Sequence, residues 1–215
     1  MYKLFDRLLD WIYKKKCYFC GSSKESSKMC TECYDTLDYL PFKINRVIDG
    51  CNVFCSGVYS KNLQKLIRGL KYHNQSDLAF YLAKFMSDYF KNILIQEKFE
   101  VIPVPIYFKR EKKRKYNHMN LVGEEFCRLT GNVFNKDLII RIKDTKPQYK
   151  LKRNERIKNL SGAFKVNDAN YKGGTILLID DICTTGSTFE EMIRELKSKG
   201  ITKIVCLAAT TPFAE

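Results

Sequence analysis

The chain has 215 residues, 45% of them hydrophobic, and a formal net charge of +14. That length suits one ordinary domain with a small appendage, and no apolar run reaches the about 18 residues that would span a bilayer as a helix. The basic excess points to an anionic partner such as phosphates or nucleic acid, unless the lysines merely solvate the surface.

Residues 1–16, MYKLFDRLLDWIYKKK, are apolar in places, but Asp6, Arg7 and Asp10 interrupt any secretory core. The segment reads as a short amphipathic helix lying on a neighbouring surface. A cytoplasmic setting is therefore expected, where nine cysteines do not read as a disulfide framework. Cys17, Cys20, Cys30 and Cys33 instead form two CxxC knuckles, with Gly21 just after the first. Two such knuckles can complete a closed four-sulfur shell around one tetrahedral ion, and zinc is the expected metal. With no open position for water, that ion would be structural. A redox dithiol or a chance spacing is the competing reading.

Beyond Pro41 the character of the chain changes, which divides it into a ribbon over 1–45 and a larger domain over 46–215. Asn52–Tyr59 has strand-like composition. Leu63, Leu66, Ile67 and Leu70 fall at helical spacing. Ser76 or Asp77 can cap a second helix, whose stripe from Leu78 to Ile93 reads as core and not as a base-stacking platform. Val101–Val104 is a short buried strand, followed by the basic run Lys109–Lys115. Such runs are usually solvated loops, yet this one follows the carboxyl end of a strand, where ligands of open α/β sheets collect. Asn117 or Asn120 can cap the next helix, which stops at Gly131, and Asp137–Ile142 reads as a strand.

Lys143–Lys172 has little periodicity and many cations: Lys146, Lys150, Lys152, Arg153, Arg156 and Lys158. It is expected to be a lid or binding loop, the alternative being a disordered insertion. Gly174–Glu191 then runs from an apolar strand through Asp180-Asp181 and a small-residue turn into a helix. Ser187 and Glu190 fit a capping box, and Phe189, Met192, Ile193 and Leu196 give the helical stripe. Gly200 ends it, and the apolar stretch Lys203–Ala208 closes a βαβ unit, so a parallel α/β sheet is expected.

This stretch has the parts of a phosphorylated-sugar cradle. Asp180 and Asp181 supply acceptors side by side for vicinal ribose hydroxyls. The backbone N–H groups of Thr184, Thr185, Gly186, Ser187 and Thr188, with the threonine hydroxyls and the helix start, supply donors for a 5′-phosphate. Gly186 lets the backbone approach closely. Neither a GxxxxGK[ST] loop nor a dinucleotide fingerprint is present.

LLIDDICTTGSTFEE closely resembles the phosphoribosyl diphosphate signature of type I phosphoribosyltransferases. The wider chain resembles the ComF competence proteins over nearly its whole length. It shares the double CxxC, Leu70-Lys71-Tyr72, Ile102-Pro103-Val104-Pro105, Pro147-Gln148, and Arg156 with Asn159 and Phe164. Where that family has Arg-Gly-Phe-Asn-Gln, this chain has Arg114-Lys115-Tyr116-Asn117-His118, which gives His118 a candidate polar role.

The resemblance implies a phosphoribosyltransferase-like parallel sheet flanked by helices, with a small N-terminal zinc ribbon. A late strand of longer phosphoribosyltransferases has no counterpart after Ala208, and Asn52–Tyr59 is the candidate replacement. It also implies displacement of diphosphate from phosphoribosyl diphosphate with Mg²⁺ bound, the acceptor being unspecified. Asp180 and Asp181 would be the catalytic pair, and residues 184–188 the 5′-phosphate loop. Lys109, Arg110 and Arg114 are candidate diphosphate donors, and Lys146–Lys158 the lid. A competence role implies single-stranded DNA, a competence helicase and DNA-processing proteins as partners, the same fold then serving as enzyme, as non-catalytic binding module or as regulator.

Overall fold

The computed structural model describes residues 15–93, 97–145 and 153–212. The amphipathic helix expected at 1–16 lies almost wholly outside them, as do Lys146, Lys150, Lys152 and Pro147-Gln148.

A short turn of helix, α1 (Thr31–Tyr34), belongs to the cysteine ribbon. It is followed by the hairpin β1 (Arg46–Ile48) and β2 (Cys51–Val58), then by α2 (Lys61–Tyr72) and α3 (Leu78–Ile93). Next come β3 (Phe99–Pro103), α4 (Phe108–Arg114), α5 (His118–Thr130), β4 (Val133–Phe134) and β5 (Ile139–Arg141). The last third holds α6 (Arg153–Leu160), β6 (Phe164–Val166), β7 (Thr175–Ile182), α7 (Ser187–Ser198) and β8 (Ile204–Thr211). The main sheet runs β1-β2-β8-β7-β3-β4, parallel throughout except for the antiparallel edge strand β1. β2 pairs with β8, so the Asn52–Tyr59 segment does take the sheet position beyond the last strand.

β7 is central, hydrogen-bonded to β3 and β8, and its residues alternate between two apolar layers. Leu177 and Ile179 pack into the layer formed with α2, α3 and α5, against Leu66, Phe85 and Phe126. Ile176 and Leu178 pack into the other, against Phe189 and Ile193 of α7. An uninterrupted apolar run is what a strand covered on both faces requires.

Three local expectations change. The basic run 109–115 is not a loop: it winds into α4, because lysine, arginine and glutamate are good helix formers, and it ends at Lys115 in the left-handed region (φ 68°). The described part of 143–172 is not unstructured either. Leu160, Ala163, Phe164 and Val166 are buried, and β6 pairs antiparallel with β5 in a separate two-stranded sheet. The backbone N–H of Gly162 donates to Glu191 of α7 at 2.6 Å, fastening that segment to the main body. Thus Asp137–Ile142 contributes a strand outside the main sheet. The capping box on α7 does not form, because the helix begins one residue earlier. Gly186 (φ 83°) is its N-cap, and Glu190 spends its N–H on the Gly186 carbonyl at 2.9 Å. Asn117 does cap α5, its side chain accepting from Met119 N–H at 3.0 Å.

The ribbon sits on the carboxyl half of α2. Tyr18 Oη lies 2.6 Å from His73 Nδ1, Lys65 donates to the Phe19 carbonyl at 3.1 Å, and Met29 and Leu37 enter the α2–α3 core.

Candidate functional site

At the carboxyl end of β7 the chain leaves the sheet through residues 183–186 and enters α7. A small hollow there is lined by Asp180 and by Ile182 through Phe189, so Thr184, Thr185, Gly186, Ser187 and Thr188 all border it. The Thr185 and Ser187 hydroxyls are 2.8 Å apart and stiffen the turn. Glycine is obligatory at 186 on two counts. Its φ of 83° is in the left-handed region, and a Cβ there would lie 2.3 Å from Ile48 Cδ1 of β1. The hairpin β1–β2 therefore closes over the turn, and Arg46 Nη1 donates to the Thr184 carbonyl at 2.9 Å. Arg156 of α6 donates to Thr184 Oγ1 at 2.5 Å.

The two acidic residues do not present themselves alike. Asp180 borders the hollow and accepts from the Asp181 N–H at 2.8 Å. Asp181 is 4% exposed and faces the α2–α5 side, where Lys71 Nζ approaches Oδ2 at 2.6 Å and His118 Nε2 at 2.5 Å. Adjacent residues of a strand point to opposite faces, so the side-by-side acceptors expected from sequence are separated by the pleat. Their ionisation differs accordingly. Burial and then the neighbouring Asp181 charge push the Asp180 carboxyl well above the ordinary range. Burial also opposes the charged form of Asp181, but the Lys71 ammonium and the His118 hydrogen bond outweigh it and hold that carboxyl well below the usual range. Burial would lower Lys71, yet attraction to Asp181 leaves it above its ordinary value. His118 is lowered by burial despite its carboxylate partner.

Lys71 also lines a groove of about 480 Å³ between the end of α2 and the stretch from α4 to Tyr116. Its walls carry five cations, Lys71, Arg110, Lys113, Arg114 and Lys115, and no carboxylate, so an anion is the ligand that fits. Tyr116 Oη donates to the Leu70 carbonyl at 2.8 Å and joins the two walls. The Arg114 guanidinium lies 5.5 Å from the Tyr72 ring centroid. Arg110 donates to the Thr145 carbonyl. Of the three basic residues singled out from sequence, Arg110 and Arg114 reach the groove and Lys109 lines neither cavity.

Lys71, Arg46 and Tyr72 were missed as site residues. Lys71 and Tyr72 sit in a motif whose family resemblance was visible, but only the fold brings the end of α2 beside β7. Nothing in the local sequence marks Arg46. His118, in contrast, was flagged by its departure from the family pattern, and it is buried against the acidic pair.

The four ribbon cysteines come together. Their sulfurs lie within 4.8 Å of one another, and Cys20 and Cys30 Sγ are 3.7 Å apart. Sulfurs bound to a tetrahedral zinc at about 2.3 Å would be about 3.8 Å apart, so the donor set fits such an ion with no position left for water.

Among known proteins, the phosphoribosyl transferase domain model matches residues 130–211, the span from the end of α5 to the end of β8. Competence protein F of Haemophilus influenzae is 26% identical over 200 residues, covering 87% of this chain and 86% of that protein. Competence protein ComFC of Bacillus subtilis is 24% identical over 188 residues, 86% of this chain and 72% of that protein. DNA utilization protein YhgH of Escherichia coli K12 is 26% identical over 161 residues, 71% of this chain and 69% of that protein.

Proposed function

We propose that this chain, a homologue of the ComF competence proteins carrying a phosphoribosyl transferase domain, binds phosphoribosyl diphosphate and serves DNA uptake during natural transformation. The observation that carries the reading is the hollow at the end of β7. A carboxylate and a turn of small, hydroxyl-bearing residues meet there at a helix start, and a second groove carries five cations and no carboxylate. In this reading residues 184–188 take the 5′-phosphate and Asp180 takes ribose hydroxyls. Asp181, held by Lys71 and His118 on the other face of the strand, orients the strand end that carries Asp180. The diphosphate lies in the groove against Arg110, Arg114 and Lys71. Lys109, next to Arg110 on α4 but outside the groove lining, contributes only to the surrounding field.

The reaction breaks the C1–O bond to diphosphate while an acceptor nucleophile bonds to C1, and the electron pair leaves with the diphosphate. Positive charge develops on the ribose at the transition state. The Asp180 carboxylate stabilises it, and the groove cations stabilise the departing anion. Mg²⁺ bound with the substrate would supply further neutralisation of the diphosphate, and the protein's acidic residues would bear on it only indirectly, by holding the ribose hydroxyls. The ribbon, with zinc, is structural. Among the described residues no helix is long and apolar enough to cross a membrane.

The test is thermal unfolding with phosphoribosyl diphosphate and Mg²⁺. A saturating ligand should raise the midpoint by several degrees, on the order of 2–4 kcal/mol of linkage. Asp180→Asn should abolish that rise, and a wild type with no shift would sink the assignment.

A second reading is a non-catalytic binding module for single-stranded DNA, working with a competence helicase and DNA-processing proteins. Tyr72, 59% exposed, with Arg114 against its ring in a cationic groove, favours it. Oligonucleotide binding should then weaken steeply with salt and be lost in Tyr72→Ala. Salt-independent binding counts against it.

A further inference from the structure

The turn at 184–188 carries two guanidinium groups that the acidic-pair-and-turn pattern does not call for. Arg46 comes from the β1–β2 hairpin and Arg156 from α6, and both end on Thr184, one on its carbonyl and one on its hydroxyl. A neutral carbonyl is a weak partner for a guanidinium, which carries five donors suited to carboxylate or phosphate. Among the described residues Arg46 has no carboxylate within ion-pair distance. Its position is nonetheless well defined. Lys197 of α7 forms an ion pair with Asp49 in the hairpin turn at 3.1 Å, and Ile48 packs on Gly186.

The turn itself offers a complementary surface. The backbone N–H groups of Thr184, Thr185 and Gly186 find no acceptor among the described residues, whereas Cys183 N–H is taken by the Thr210 carbonyl and Glu190 N–H by Gly186. Three successive unsatisfied amides and two guanidiniums, both bonded to Thr184, supply the donors that a small tetrahedral anion needs.

We propose that Arg46 and Arg156 are ligands of the phosphate monoester held by this turn, exchanging Thr184 for phosphate oxygens when the anion enters. The proposal rests on the reading that the turn takes the phosphate end of a phosphorylated sugar. It makes the hairpin at 46–48, which lies outside the matched span 130–211, part of the ligand site. It also makes the protein discriminate a phosphorylated pentose from the bare sugar through these two side chains.

Calorimetric titration of the full-length, metal-loaded protein tests this, with ribose 5-phosphate, ribose and magnesium diphosphate as separate probes. Arg46→Gln and Arg156→Gln should each weaken ribose 5-phosphate binding about tenfold or more, charge-assisted contacts to phosphate being among the strong ones. Magnesium diphosphate binding should stay within about twofold, since the groove is untouched. Arg46→Lys and Arg156→Lys should recover part of the affinity, which a purely packing role would not predict. Wild-type affinity should rise between pH 5 and 7, as the phosphate gains its second charge near about pH 6. That rise should flatten in the glutamine variants, whose folding is checked by unchanged thermal midpoints. If the wild type binds ribose 5-phosphate and both glutamine variants bind it equally well, the arginine roles are overturned while the turn's reading stands. If the wild type does not bind it at all, both fall.

Discussion

The cysteine ribbon and the carboxyl end of β7 are both small polar constellations, assembled in opposite ways. The ribbon gathers its four sulfurs from two knuckles within residues 17–33, close enough together to hold one metal ion. The β7 end gathers Lys71 from α2, His118 from α5, Arg46 from β1 and Arg156 from α6, elements that meet only because a sheet places them around one strand end. The ribbon's donor set is therefore local in sequence, and the site's order depends on a packed core. A local motif meets the main body only through contacts such as Met29 and Leu37, whereas the β7 end cannot be altered without stressing the fold around it.

The largest effect expected from this contrast is metal removal. Chelation, or Cys30→Ser, should unfold the ribbon, since structural zinc contributes on the order of 10 kcal/mol of folding free energy in small domains. Limited proteolysis should then cut within residues 15–40, while amide exchange of β7 stays slow. Equal loss of protection in β7 would show that the two regions do not fold separately.

Next in size is Asp181→Asn. It leaves the buried Lys71 ammonium without its carboxylate, and breaking such a pair costs about 3–5 kcal/mol. Urea denaturation should show that loss, and Lys71→Met in the same chain should restore much of it. Unchanged stability in the single variant would mean the ion pair does not hold the strand end.

Gly186→Ala should cost about 1–3 kcal/mol, through left-handed backbone strain and the collision with Ile48. Ile48→Ala should relieve only the steric part, so the double variant should fall between Gly186→Ala and wild type after correction for the lost isoleucine.

The smallest effect is a pH slope. His118 is lowered from 6.5 in the folded protein, so between its folded value and 6.5 the unfolded chain binds more protons. Its contribution to stability is full above 6.5 and shrinks as pH falls below it. Asp181, held low, keeps its contribution above the ordinary carboxylate range and loses it only in strong acid. His118→Gln, which preserves a donor for Asp181, should flatten the slope just below pH 6.5. A slope unchanged from wild type would assign it to other groups.

Much of this was legible before the fold. The double CxxC announced a four-cysteine cluster able to hold a metal, because thiolate chelation needs only short-range spacing. The stretch Gly174–Glu191 announced strand, turn and helix because hydrophobic period and glycine placement are local signals. The capping box misled because a serine and a glutamate three apart cannot tell which residue starts the helix; the left-handed Gly186 decided that. The basic stretch 143–172 concealed Leu160, Phe164 and Val166, whose burial against α7 outweighs the charges around them.

The sequence alone settled the alternation of strands and helices, the four-sulfur ligand set, and the small-residue turn behind an acidic pair, since each is written in neighbouring residues. Only the tertiary structure decided that Asp181 faces Lys71 and His118 while Asp180 faces the hollow. It also decided that β1 roofs the turn and that α4 lines a cationic groove. Those outcomes depend on strand order and on which face of the pleat each side chain takes, and no short window of sequence contains either.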